Sequence, residues 1–394
     1  MIFGEASYFF LFLIPCVTFF YVGPIQWRNW IIAFFGCCFF AYFGYLHFGG
    51  PPASACVLIF AWEALTSRLY KRGSIWCLIG VLQSVLILFA FKYLVFFSIF
   101  WNDIASLTHS QVLSPGIRLV IPLGLSFFTF EFIHYAIDVY RGRIENDKLA
   151  SYMGFIFFFP TMVCGPIKRY QEFQPQVATA KFDEALFCQG ITRILVGLVK
   201  KQVFSNTFTL WSDRLNTEAL YSANRWTIMG WVLAFGFKIY FDFAGYSDIA
   251  IGSGNLFGLH IPENFNWPYF SQNIGEFWRR WHISLSRWLN DYIFTPLSNF
   301  KMGLVPIPLA LVITFGISGL WHGAGYNFIL WGLWHGVLLA IYYVWRTKTT
   351  GTNIRLNPVF GVLLTYLSVN LGYVFFSMNS TRAFYALSKI LGIS

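Results

Sequence analysis

Residues 75–100 read IWCLIGVLQSVLILFAFKYLVFFSIF, with one charged side chain, Lys92. A membrane-crossing helix needs roughly 20 mainly apolar residues, so this stretch alone makes lipid the expected solvent. A cation is costly at that depth, and the position of Lys92 near an end of the run predicts that it snorkels toward the surface. Similar runs occur near 6–23, 29–46, 53–67, 117–139, 151–164, 185–211, 226–258, 303–320, 326–345 and 358–377. The run at 226–258 is long enough for a helix and a broken second piece, giving an expectation of roughly 10–12 membrane helices. The fold class is therefore an all-α integral membrane protein, read as one domain over 1–394 with its catalytic region about 160–340. The run at 6–23 follows Glu5 without a basic segment or small-residue cleavage site. It reads as a retained helix, not a removable signal.

Composition agrees. Of 394 residues 57% are hydrophobic and 11% charged, against about 25% charged in soluble domains. Phe contributes 47 residues and Trp 16; Trp and Tyr settle at membrane interfaces. The net charge of +10 lies in short clusters between apolar runs, which argues for membrane orientation and against a nucleic-acid partner. Cys16, Cys37, Cys38, Cys56, Cys77, Cys164 and Cys188 fall in or beside apolar stretches with no CxxC pair. They read as buried packing side chains outside any disulfide or metal set.

Arg28 follows the first run, Arg68, Lys71 and Arg72 the third, and Arg141, Arg143 and Lys148 the fifth, while the loops near 47–53 and 101–116 carry no Lys or Arg. The positive-inside rule makes the basic loops cytoplasmic and the N-terminus external. Arg118, at the outer start of the fifth run, counts against this.

Between about 160 and 325 the apolar pattern is broken by Pro160, Gly165-Pro166, Gly245, Gly252, Gly254, Pro262, Pro268, Gly319, Gly323 and Gly325. Broken backbone at membrane depth needs protein or a water-filled cavity around it, so a site is expected there. Within residues 271–297, SQNIGEFWRRWHISLSRWLNDYIFTPL, Asn273 and Glu276 resemble a capping box and Pro296 a stop, with one helix between. Trp278, Trp281, His282, Leu285, Trp288 and Leu289 share a side, and Arg279, Arg280, Arg287 and Asp291 take the other. Such a helix either lies on the membrane surface with its arginines on lipid phosphates, or lines an internal tunnel in which His282 finds a partner.

Residues 316–336, GISGLWHGAGYNFILWGLWHG, contain two WHG triplets, with His322 and His335 thirteen residues apart. On one continuous helix that spacing rotates by roughly 220°, so the imidazoles could not share a face. Gly323 and Gly325 permit a break beside His322, making it the functional candidate; His335 reads as a satisfied core residue. In 240–273, Asp242 and Asp248 interrupt apolar sequence, and either pair with cations to hold helices together or act directly. GxSxG, P-loop and HExxH motifs are absent. Two histidines suit base-assisted attack of a hydroxyl on a thioester carbonyl.

These segments resemble the membrane-bound O-acyltransferase family, in its alginate O-acetylation branch. The resemblance runs from FLFLIP and WRNW through IPLGLSFFTFEFIHYAIDVYRG, FFPTMVCGPIKRYQEF, FDFAGYSDIAIG, PENFNWPYFSQNIGEFWRRWHISLSRWLNDYIFTPL and LWHGAGYNFILWG to FFSMNSTRAFYAL. It implies a multi-helix bundle around a central tunnel, His322 as the essential catalytic histidine and His282 as the second. Trp278, Arg279, Arg280, Trp281, Trp321, Asp242, Tyr246, Ser247, Asp248, Asn264, Asn266, Gly165, Pro166, Lys168 and Arg169 are expected lining or scaffold positions. The resemblance also implies acetyl-CoA or another cytoplasmic thioester as donor with no bound cofactor or metal, an exported polysaccharide acceptor, a periplasmic or extracellular partner of hydrolase-like fold, and the bacterial inner membrane. SNFKMG after YIFTPL, and a sequence ending at Ser394, depart from the branch. The length is nearer to the sister branch that transfers D-alanine toward teichoic acids. A transporter or flippase would show inverted repeats, and only the WHG triplets repeat.

Overall fold

The computed structural model describes residues 4–48, 59, 62, 63, 66, 67, 73–108, 121–145, 148–298, 305–351 and 357–393. Cys56, Arg68, Lys71, Arg72, Arg118 and most of the 53–67 and SNFKMG segments lie outside the described residues. The described elements are all helical: α1 Tyr8–Val22, α2 Arg28–Phe48, α3 Ser74–Ser106, α4 Leu125–Tyr140, α5 Leu149–Ile156, α6 Tyr170–Thr179, α7 Glu184–Val199, α8 Asn206–Ser212, α9 Arg225–Leu256, α10 Ile274–Arg280, α11 Ile283–Leu289, α12 Ile307–His322, α13 Tyr326–Thr349, α14 Pro358–Ser377 and α15 Ser380–Leu391.

Among the described residues five helices are long and apolar enough to cross a membrane: Ile25–Leu46, α3, α9, α13 and α14; α1 and α12 are shorter and apolar. The protein is a multi-pass membrane protein. Fewer spans than expected emerge because some apolar runs fold as short pieces. The run at 151–164 becomes α5 and a single turn at Phe159–Thr161, broken where Pro160 withdraws a backbone donor. The run at 226–258 departs in the other direction: α9 is one unbroken helix. Its glycines admit neighbouring backbone instead of breaking it, since a Cβ on Gly252 would lie 2.6 Å from Gly190 O and one on Gly245 2.8 Å from Gly197 O. Small residues at such crossings let helices pack closely without a hydrophobic driving force between them.

The chain divides into two compact units, Met1–Val196 with Tyr246–Pro262, and Gly197–Gly245 with Glu263–Ser394. In the first, Tyr8, Phe12, Phe39, Phe43 and Phe159 form a buried aromatic cluster. Arg28 is buried there, its Nη1 donating to Val177 O (3.2 Å) and Ala180 O (2.8 Å) at the end of α6. A cation on those terminal carbonyls also suits the negative end of the helix dipole. Lys92 sits within α3 at the π turn Phe89–Tyr93, half-buried, with Nζ 3.4 Å from Ser126 Oγ on α4. Cys16 and Cys77 are buried as expected, whereas Cys37 and Cys188 are exposed among the described residues.

The second unit is built on α10 and α12 to α15, with Phe277, Trp278, Trp281, Phe315, Trp331 and Tyr373 in its core. Its centre is therefore aromatic, and the histidines are set among those rings.

Candidate active site

The basic, aromatic segment begins as the sequence indicates. Asn273 Oδ1 accepts from Glu276 N at 2.8 Å, while Glu276 reaches back one residue beyond a standard box to accept from Gln272 N. Arg280 is held by Glu276 at 2.6 Å. The expected single helix, however, stops at Arg280. Trp281 is extended, His282 takes φ +43° and ψ +54°, and α11 restarts at Ile283. Pro296 is not the stop either, since it falls within the short helix Thr295–Ser298 that follows a π turn at Asn290–Phe294.

The break is stabilised by the loop around Asn264. Asn266 N–H donates to Arg280 O and Ile283 N–H donates to Asn264 O, each at 3.0 Å, so two backbone groups exposed by the interruption are satisfied. Asn264 Oδ1 accepts from Ser284 N (3.2 Å) and Ser284 Oγ (2.8 Å), and lies 3.2 Å from His282 Nδ1. A left-handed conformation at a non-glycine residue is strained and persists only where its surroundings over-determine it. These bonds supply that constraint.

Trp278, Trp281, His282, Leu285, Trp288 and Leu289 are all buried, as their spacing predicts. Phe243 meets the His282 ring edge-on at 4.5 Å. His282 Nε2 is buried and has no hydrogen-bond partner among the described residues. Burial, with nearby His322 adding to it, holds the His282 pKa well below the usual imidazole range, so the ring is neutral at pH 7.

His322 is the last residue of α12, beside extended Gly323. A Cβ on Gly323 would fall 2.1 Å from the Phe328 ring, so any larger residue there must displace that ring. The half-buried His322 ring contacts Trp321 (4.7 Å), Trp331 (4.9 Å) and Phe376 (5.2 Å). The break at Gly323–Gly325 folds α13 back, and His335 reaches the same Trp331 ring at 5.0 Å. His335 is fully buried, yet neither ring nitrogen has a hydrogen-bond partner among the described residues. The expectation of a satisfied core histidine holds for burial and fails for bonding, because its surroundings are Trp278 and Trp331 rings.

Beside α10 and α11 lies a cleft of about 550 Å³, with Trp278, Leu289, Phe294, Phe315 and Leu339 on apolar walls and Arg279 and Arg287 among its polar lining. The second unit holds His282, His322, Trp278, Arg279, Trp281, Trp321 and Asn264; Trp278 and Arg279 line the cleft, and neither His282 nor His322 is among its lining residues. Arg280 is turned to Glu276, and Asn266 acts through its backbone. Asp242 pairs with Lys201, and Asp248 pairs with Arg193 at 2.9 Å within the first unit. Both carboxylates therefore fit the helix-holding alternative.

The GPIKR segment also belongs to the first unit, where Gly165 and Pro166 are buried and Arg169 is half-buried. Lys168 is buried on Glu131 at 2.5 Å, under Phe155 at 4.4 Å, a structural ion pair. Tyr246 is half-buried and Ser247 buried in that unit. Sequence reasoning missed Ser284, Trp331 and Phe376.

Residues 60–381 match the membrane-bound O-acyltransferase family. The chain is 34% identical over 387 residues to the probable alginate O-acetylase of Pseudomonas aeruginosa, covering 95% of this chain and 72% of that protein. It is 33% identical to the peptidoglycan O-acetyltransferase of Helicobacter pylori, over 82% of this chain and 66% of that protein. Its identity to the teichoic acid D-alanyltransferase of Bacillus subtilis is also 33%, over 69% and 72%. With two histidines gathered among aromatic rings and a match over most of its length, this chain belongs to the membrane-bound O-acyltransferase family and is an acyltransferase.

Proposed function

We propose that the protein takes an acetyl group from a cytoplasmic thioester, acetyl-CoA, and passes it across the membrane for O-acetylation of an exported cell-surface polysaccharide. The observation that carries this is the pair of imidazoles in the second unit, His322 at the glycine break that ends α12 and His282 with its buried Nε2 unpartnered among the described residues. An unprotonated imidazole takes the proton of an attacking hydroxyl as its oxygen bonds to the thioester carbonyl carbon. The C–S bond then breaks, and the departing thiolate recovers the proton. His322 is assigned this base role and His282 a supporting one.

The cleft carrying Arg279 and Arg287 suits the donor, whose phosphates want guanidinium partners and whose pantetheine arm suits apolar walls. Acetylation is favoured by the two O-acetylating relatives, whose alignments cover more of this chain than that of the D-alanyl relative. The acceptor hydroxyl belongs either to the polysaccharide or to a secreted relay protein of hydrolase-like fold. The positive-inside rule supports a reading in which the protein lies in the bacterial cytoplasmic membrane with its N-terminus outside and Arg141, Arg143 and Lys148 within.

Inside-out vesicles supplied with labelled acetyl-CoA, relay protein and polymer should transfer label to relay or polymer. Labelling only from a D-alanyl carrier-protein thioester would retain the acyltransferase and overturn the acetyl assignment.

A further inference from the structure

The atom of Asn264 that faces His282 is fixed by a third group. Ser284 N–H points at it from 3.2 Å and cannot be anything but a donor, and Ser284 Oγ is 2.8 Å from the same atom. An amide NH₂ there would meet a backbone N–H donor to donor, so the facing atom is the carbonyl oxygen. An oxygen 3.2 Å from His282 Nδ1 requires that nitrogen to carry the proton. In the neutral ring the remaining lone pair is then on Nε2, the buried nitrogen without a partner among the described residues. The backbone of Asn264 holds the break that places His282, and its side chain sets the state of the ring.

We propose that Asn264 is a positioning residue, which fixes His282 in the Nδ1–H tautomer and keeps Nε2 open as a hydrogen-bond acceptor for the acceptor hydroxyl at the site. The identity of that hydroxyl rests on the acyl-transfer reading above; the tautomer does not. Histidine in water prefers the Nε2–H form, so loss of the Asn264 oxygen frees the ring to revert and occupies the acceptor with a proton.

The test uses the full chain, ¹⁵N-labelled at histidine, in lipid bilayers, with the His282 signal assigned by its loss in His282→Gln. The wild type and Asn264→Asp, which keeps an acceptor oxygen, should show a protonated Nδ1 and an unprotonated Nε2. Asn264→Leu should shift toward Nε2–H. Acetyl transfer in Asn264→Leu should fall roughly 10²-fold in kcat with KM little changed, while Asn264→Asp stays within about tenfold of wild type. In a His282→Gln background Asn264→Leu should cost no more than about threefold, because the residue acts through the ring.

A wild-type ring protonated at Nε2 overturns the proposal whatever the activity. So does a folded Asn264→Asp as inactive as Asn264→Leu, or a loss from Asn264→Leu that multiplies fully with that of His282→Gln. The expected tautomers in a protein that transfers no acyl group would leave the positioning role standing and remove the acetyl-transfer reading instead.

Discussion

Lys168 is 1% exposed and Glu131 6%, and each would be prohibitively placed without the other. GPIKR was expected to line the site or serve as scaffold, and the lysine fits the scaffold alternative, joining α4 to the segment before α6 inside the first unit. Removing one charge of a buried pair strands its partner at a cost of about 3–5 kcal/mol, whereas replacing both is often nearly neutral. Lys168→Met should therefore sharply lower the melting temperature of the detergent-solubilised protein, and Lys168→Met with Glu131→Gln should restore most of it. Equal melting of Lys168→Met and wild type would show that the pair does not hold the unit.

At the scale of elements, the catalytic candidates sit at interruptions: His282 between α10 and α11, His322 at the end of α12. The α12–α13 hairpin that presents His322 is closed by glycines. A Cβ on Gly332 would lie 2.2 Å from Phe315 O, and one on Gly319 2.3 Å from Phe328 O. Gly332→Val should push the helices apart at a cost of about 1–3 kcal/mol, and acetyl transfer should fall because His322 moves with α12. Full activity and an unchanged melting temperature in this variant would mean that the crossing does not position the histidine.

Much of this was legible in the sequence. The three- and four-residue spacing from Trp278 to Leu289 gave the buried face, and Gly323–Gly325 gave the break beside His322. The break at Trp281–His282 was not legible, because no Pro or Gly marks it. It depends on Asn264 and Asn266, some sixteen residues earlier in the chain, satisfying its backbone groups. Glycines in α9 misled for the opposite reason: a glycine that admits a neighbouring helix and one that ends a helix look alike until the neighbour is placed.

For the molecule as a whole, the five apolar helices long enough to cross a membrane among the described residues make a multi-pass protein, and the sidedness argument rests on the basic loops. Lys148 is exposed just before α5. In a background without the seven natural cysteines, Lys148→Cys should react with a membrane-impermeant maleimide in inside-out vesicles and not in intact cells stripped of their outer membrane. The reverse pattern would invert the orientation assigned to the basic loops.

The most direct measurement is transfer of labelled acetyl from acetyl-CoA by inside-out vesicles carrying wild type or His322→Ala at matched protein levels, with relay protein and polymer present. Base-assisted transfer predicts a loss of roughly 10²- to 10⁴-fold in His322→Ala. Label arriving at the wild-type rate from folded His322→Ala would contradict a catalytic role for the histidine that ends α12.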